Sequence, residues 1–296
     1  MMRKSHKEAL EGYLFALPWF IGFAVFYAYP TIASLVFSFF DYDVYSRMDW
    51  VGLNNYVHLF TDDDLFWKSL YNTLYYTAFS VPLGMIVGLC IALLLNQDIK
   101  GLTFFRTIYY LPSVLSGVAV SILWIWIFDP GLGLLNIALE KIGIWGPNWL
   151  SDPAWSKPAL IIMSLWGAGS SMIIYLSGLQ SVPTELYEAA RVDGANAFQN
   201  FIYITLPMIS PVLLFTLITG IIGSFQVFTQ AFVMTEGGPL NSTLFYVLYL
   251  YRKAFGFLQM GMASAMAWIL AIIVAVIAYF ILRTSDVWVH YQGGLG

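Results

Sequence analysis

Apolar residues along this chain come in long unbroken runs, not at the alternating spacing of a soluble strand or helix. Stretches free of Asp, Glu, Lys and Arg cover about residues 13–40, 69–97, 107–128, 158–184, 208–235 and 254–282. Each approaches or exceeds the roughly 20 residues that a helix needs to cross a bilayer, with the excess left for tilt or an interfacial end. Lipid satisfies no open backbone groups, and the runs are too long for barrel strands, so helix is required. The pattern predicts an all-α membrane protein of six transmembrane helices, forming one domain over residues 1–296. Composition agrees: 10% of residues are charged, where soluble domains carry about 25%.

The polar positions between the runs set the topology. Arg3, Lys4 and Lys7 precede the first run as in a secretory signal, but the uncharged stretch from Tyr13 to Phe40 far exceeds a signal core of roughly 7–15 residues. It is expected to stay as the first span. Six spans put both termini on one side. Arg3, Lys4, Lys7, Lys100, Arg106, Arg191 and Arg283 then share that side, opposite Arg47, Lys68, Lys141, Lys157, Arg252 and Lys253. The totals decide little, but the first helix usually dominates orientation, so the three leading basic residues place both termini in the cytoplasm. Asp62, Asp63 and Asp64 then lie outside, and the segment from Trp145 to Trp155 forms an outer interfacial anchor. Prolines 18, 30, 82, 112 and 211 lie in or near spans, either as kinks suited to a transporter or as ordinary irregularities of a bundle.

Several chemistries are excluded. The net charge of −4 is spread over short loops without a basic run, so neither nucleic acid nor a polybasic lipid contact is expected. Cys90 stands alone in an apolar run and reads as a small core residue. Histidine occurs only at positions 6, 58 and 290, outside the runs, which argues against a proton relay or an intramembrane metal site. With no phosphate-cradling loop ending in Gly-Lys-Ser or Gly-Lys-Thr, the chain is expected to bind neither ATP nor a cofactor of its own.

The most informative polar segment is the loop over residues 181–207, between the fourth and fifth runs. Pro183 and Thr184 suit a helix start, and Glu185 and Glu188 put negative charge near its positive end. Arg191 follows Glu188 by three residues. Gly194 suits the left-handed conformation that ends a helix, after which Ala195 to Ile204 are expected to form a second. The loop therefore reads as helix, turn, helix under the membrane.

In this loop Glu188, Ala189, Ala190, Gly194, Ile204, Leu206 and Pro207 stand in the order Glu-Ala-Ala, three residues, Gly, nine residues, Ile-x-Leu-Pro. The chain resembles the permease subunits of binding-protein-dependent ABC importers, with Asp193 and Ala195 matching the carbohydrate branch that includes the larger maltose-system permease. Tyr71-Asn72-Thr73 and Thr235-Glu236-Gly237-Gly238-Pro239 extend the likeness. The maltose subunit's two additional N-terminal spans and large periplasmic insertion have no counterpart here.

The resemblance implies a type I ABC importer fold whose cytoplasmic loop couples the spans to a partner ATPase through Glu188, Ala189, Ala190, Arg191, Asp193, Gly194 and Ala195. It implies further partners: a second homologous permease in a heterodimer, two ATP-binding subunits that carry ATP and Mg, an extracytoplasmic solute-binding protein and a sugar. The location implied is the cell (inner) membrane of a bacterium or archaeon. Absence of charge in the runs favours a neutral solute, with an oligosaccharide or uronate left open. Sugars need hydroxyl and amide partners and aromatic faces; Ser170, Ser171 and Tyr175 of the fourth run and Ser224, Gln226 and Thr229 of the fifth are the candidates, Gln226 and Tyr175 first. The alternatives are an ion-coupled secondary transporter of a small neutral solute, with the loop as gate, and, behind it, an intramembrane enzyme, for which the runs offer no nucleophile and base.

Overall fold

The structure is a computed structural model that describes residues 2–45, 48–97 and 100–290, with side chains from residue 11 onward. Arg47 and the side chains of Arg3, Lys4, His6 and Lys7 lie outside the described residues. In chain order the elements are α1 (Met2–Phe23), a π-turn (Ala24–Ala28), α2 (Tyr29–Phe37), strands β1 (Phe40–Tyr42) and β2 (Met48–Trp50), α3 (Asn54–Thr61) and α4 (Asp64–Leu95). Next come α5 (Leu102–Val114), α6 (Gly117–Ile127), α7 (Leu134–Lys141), α8 (Ser156–Leu165), α9 (Gly169–Gln180) and α10 (Thr184–Val192). Then follow α11 (Ala197–Asn200), a π-turn (Phe201–Thr205), α12 (Leu206–Met208), α13 (Ser210–Phe225) and α14 (Thr229–Met234). The chain closes with α15 (Tyr246–Tyr251), a π-turn (Arg252–Gly256) and α16 (Met260–Ser285).

Four stretches are helical, long and apolar enough to cross a membrane: Glu11–Phe37, Asp64–Leu95, Ser210–Met234 and Met260–Ser285. The third and fourth runs are instead bent pairs, α5 with α6 at 101° and α8 with α9 at 45°. Counting each pair as one gives six, so the chain is a multi-pass membrane protein. The third run, expected as one helix over 107–128, is broken at Leu115 and Ser116, whose backbones turn extended. Periodicity does not register such a break because both halves are equally apolar. The fifth run also has a gap, since Gln226 to Phe228 separate α13 from α14.

Helix ends overrun the apolar runs. Asp64 and Lys68 lie within α4, Arg106 within α5, Lys157 within α8 and Arg283 within α16, which corrects the charge-free reading of the spans. A helix continues while its backbone bonds are met, whatever side chain reaches the interface. The fold is all-helical as expected apart from one short hairpin, in which β1 and β2 pair antiparallel, Phe40 opposite Trp50 and Tyr42 opposite Met48.

The chain forms two compact units. One comprises Met1–Asp64 and Leu250–Ala271. In it Asn55 donates to the Ser38 and Phe40 carbonyls at 2.9 Å each, holding α3 to the hairpin, and Trp268 Nε1 donates to Ser34 Oγ at 3.2 Å. Lys253 Nζ lies 2.9 Å from Asp63 Oδ2 in a buried ion pair. Asp63, expected in an external loop with its neighbours, is therefore a buried residue.

The other unit comprises Leu65–Tyr249 and Ile272–Gly296. Its core gathers Ala92 and Leu95 of α4 with Met172, Tyr175, Leu176 and Leu179 of α9, and with Val182 and Ile209. Gly169, opening α9, permits the approach of α5, since a methyl there would overlap the Tyr109 carbonyl; small residues at such crossings are the rule in membranes. In the expected anchor segment Trp149 is buried, set between Phe128 and Trp155 with its Nε1 donating to Asn136 Oδ1 at 2.7 Å, while Trp145 and Trp155 are exposed. Cys90, read as a core residue, is exposed.

Candidate functional site

The six polar residues singled out in the fourth and fifth runs surround one cavity. Ser170, Ser171 and Tyr175 of α9 and Ser224, Gln226 and Thr229 at the break between α13 and α14 all line a space of about 490 Å³. α4 closes the wall with Tyr76, Ser80 and Gly84. Among the described residues the lining carries no Asp, Glu, Lys, Arg or His. Volume and polarity fall in the range of small-molecule sites, about 300–1,000 Å³ with a few placed polar groups.

Within the cavity the candidates divide by what their polar atoms already hold. Tyr175 is fully buried and its hydroxyl bonds Thr216 Oγ1 at 2.9 Å, so it fastens α9 to α13. Ser224 Oγ donates to Thr77 Oγ1 at 2.9 Å and fastens α13 to α4. Ser170 and Ser171 donate to carbonyls of their own helix turn, Gly167 at 3.3 Å and Ala168 at 2.9 Å; Ser170 is exposed. Gln226 is exposed and its amide bonds no described residue. Lying where the helix stops, it escapes the packing that occupies Tyr175.

Ser80, Thr216, Thr219 and Gln230 line the cavity as well and the runs did not single them out. Small or hydroxyl residues at one-turn spacing, Tyr76-Ser80-Gly84 and Thr216-Gly220, are the signal that marks that face. Ser80 is the most telling. Its Oγ is buried beside the Tyr76 hydroxyl, with no hydrogen bond of good geometry.

The loop under the cavity has the expected helix, turn, helix form. α10 starts at Thr184 after Pro183, and Gly194 ends it at φ +79° while the Ala195 N–H returns to the Ala190 carbonyl at 2.9 Å. The second helix starts two residues later than expected, at Ala197, because Asn196 and Gln199 form a reciprocal capping box with bonds of 2.8 and 2.9 Å. It widens into a π-turn from Phe201. Glu188, Ala189, Arg191, Asp193 and Gly194 are exposed and Ala190 and Ala195 half-buried. Among the described residues Glu188 and Arg191 form no ion pair. Apolar side chains of the loop stay exposed too, Val192 at 88% and Phe198 at 72%. Tyr187 points the other way: its hydroxyl bonds Thr205 at 2.9 Å, and with Ile204 and Leu206 it packs on the core that holds α4 and α9. α10 is thus packed against the helices that line the cavity.

Comparison with known proteins gives a consistent result. Residues 80–287 match the family described as binding-protein-dependent transport system inner membrane component. Over 294 residues the chain is 44% identical to a probable ABC transporter permease protein, YesP, of Bacillus subtilis (strain 168), covering 98% of this chain and 95% of that one. It is 37% identical over 277 residues to the lactose transport system permease protein LacF of Rhizobium radiobacter, covering 91% and 92%. Among solved structures, a bacterial ABC transporter involved in the import of the acidic polysaccharide alginate superposes with a TM-score of 0.84 at 28% identity, covering 96% of this chain and 98% of that one. The fold is that of a type I ABC importer permease. Sequence, fold and span pattern together place the chain in the family of binding-protein-dependent transport system inner membrane components.

Proposed function

We propose that this chain is a pore-forming permease subunit of an ATP-driven importer of sugars or oligosaccharides. The observation that carries the reading is the uncharged polar cavity on α4, α9 and α13, tied through one core to the exposed α10 loop. A hydroxyl-rich solute fits walls of serine, threonine and glutamine, and relatives that carry lactose or alginate support a saccharide. In this reading six spans cross the cell membrane of a bacterium or archaeon with both termini in the cytoplasm, the bent pairs each counting as one. A second, homologous permease completes the pore, and an extracytoplasmic binding protein delivers the solute, the neighbouring solved complex with a periplasmic protein being the support for that partner. Two ATP-binding subunits hold ATP and Mg; this chain contributes no cofactor and no hydrolysis.

The mechanism follows from the two faces of the loop. Glu188 presents a carboxylate to a basic group of the ATPase, Ala189 and Ala190 allow close backbone approach, and Arg191, Asp193 and Ala195 frame the turn that Gly194 makes possible. Val192 and Phe198 supply the apolar contact. When the ATPase dimer closes, α10 moves as a unit and carries α4 and α9 with it through Tyr187 and the shared core, and the cavity alternates its opening. Ser170, Ser171, Tyr175, Ser224, Gln226 and Thr229 form the path, Gln226 and Ser170 by direct contact, Tyr175 and Ser224 by holding the walls. The test is Glu188→Lys in the reconstituted importer. Solute-stimulated ATPase and uptake are expected to fall at least tenfold, the equivalent of about 1.4 kcal/mol of contact, with assembly unchanged. Full activity in an assembled Glu188→Lys complex would refute the coupling role.

A further inference from the structure

Asn72 of α4 is fully buried and donates its side-chain amide to the carbonyls of Asn241 at 2.8 Å and Leu244 at 3.1 Å. With both N–H groups committed, its oxygen accepts from the Lys157 ammonium of α8 at 3.0 Å. That bond sets Lys157 Nζ over the rings of Tyr71 and Tyr75, 5.1 and 4.9 Å from their centroids, where the ring quadrupoles attract a cation. Lys68 lies one turn before Asn72 on the same face of α4 and is near enough to repel Lys157. Among the described residues no carboxylate lies within ion-pair distance of either lysine. The chain thus brings two like charges close together, one of them fixed by a buried amide, and no described carboxylate offsets them. Such a pair attracts an anion.

Position narrows the kind of anion. Lys157 and Ser164 are seven residues apart on one face of α8, about 10 Å along the helix, and Ser164 lines the cavity. α4 and α8–α9 run parallel: Asn72 meets Lys157, Tyr76 meets Ser164 and Gly88 meets Ser171. The lysines thus stand beyond the cavity on the side away from α10. A lysine at a helix end commonly reaches for the interface on its own, but such a residue needs neither a buried amide clamp nor two aromatic walls. Tyrosine faces suit the C–H surface of a pyranose ring.

We propose that Lys157, supported by Lys68 and framed by Tyr71 and Tyr75, recognises a carboxylate on the saccharide as it approaches the cavity, so that the substrate class is an oligosaccharide containing uronic acid. The proposal rests on the sugar-importer reading and adds the charge of the substrate. A lipid phosphate offers similar oxygens; continuity with the cavity and the two ring faces favour the saccharide.

The test uses the assembled importer in nanodiscs, with trigalacturonate and neutral galactotriose as probes in titration calorimetry. Trigalacturonate is expected to bind the wild type, and Lys157→Gln and Lys68→Gln to weaken it about tenfold or more, the size of one charge-assisted hydrogen bond. Lys157→Arg should keep most of the affinity, and galactotriose should not distinguish the variants. Equal weakening of both saccharides in Lys157→Gln marks a structural role for the lysine and overturns the proposal. So does binding of galactotriose alone, which leaves the sugar-importer reading standing. Failure of both saccharides to bind the wild type removes that reading and the proposal with it. Trigalacturonate affinity that is insensitive to Lys157→Gln, while exchange of phosphatidylcholine for phosphatidylglycerol stabilises only the wild type, makes the pair a lipid anchor and likewise overturns it.

Discussion

Ser80 is a buried hydroxyl at the cavity wall, where a single substitution separates a packing role from a solute contact. Ser80 lines the cavity beside the Tyr76 hydroxyl and its Oγ forms no hydrogen bond of good geometry, so the group adds less than the roughly 1 kcal/mol of a well-formed bond. Ser80→Ala is therefore expected to leave the thermal midpoint of the purified complex unchanged or raised while increasing the KM for uptake; a lowered midpoint with unchanged KM would show that Ser80 is ordinary core. Gln226→Ala should reduce uptake with little change in basal ATPase, because its amide bonds no other described residue. Tyr175→Phe should act through stability instead, since its hydroxyl is spent on Thr216. Asp63 and Lys253 carry the opposite logic. Removing one member of a buried ion pair strands the other, at about 3–5 kcal/mol. Asp63→Asn should lower the melting temperature strongly, and Asp63→Leu combined with Lys253→Met should recover much of the loss; a double variant as unstable as the single would mean that the pair itself is not what Asp63→Asn disrupts.

At the scale of elements, α10 is a helix whose end is set by a single backbone conformation. Gly194 sits at φ +79°, a region that costs an L-residue about 1–2 kcal/mol. Gly194→Val is expected to shift the angle between α10 and α11 and to lower the ratio of uptake to ATPase activity, with spans and assembly intact. An unaltered ratio would show that the turn is not part of coupling. Gly169 makes the contrasting case, because its constraint is steric and not conformational: a side chain there meets the Tyr109 carbonyl. Gly169→Leu should separate α5 from α9 and reduce folded yield, and normal yield with full uptake would contradict that packing.

Across the whole molecule, topology is the property that every functional assignment leans on. Asp62 is exposed at the start of α4 whereas Asp63 is buried, so the informative reporter is a cysteine at Asp62, after replacement of the exposed Cys90. In intact cells an impermeant maleimide should label Asp62→Cys from outside and should reach Glu185→Cys only after permeabilisation. The reverse pattern would turn the loop away from the cytoplasm and with it the ATPase contact. The proposed topology also expects a cysteine at Asp152, five residues before Lys157, to be labelled from outside and not with Glu185→Cys.

What was legible in the sequence is whatever lipid and the backbone enforce locally. Apolar runs had to be helices because the bilayer offers no partner to an open peptide group, and the Pro183, Gly194 and Leu206-Pro207 signals delimited the loop because turns are written in adjacent residues. Even there, the Asn196–Gln199 capping box moved the second helix by two residues. The tertiary structure decided everything that depends on partners distant in the chain. The 101° bend of α5 on α6, the burial of Asp63 and Trp149, and the division of the cavity residues into wall fasteners and free groups all left the hydropathy of their segments unchanged. Lys157 reads as one interfacial lysine among several until Asn72, 85 residues away, accepts its hydrogen bond. Span position is a sum over neighbouring residues and survives in the sequence, whereas the role of a polar group is set by which atoms it meets, and those come from elsewhere in the chain.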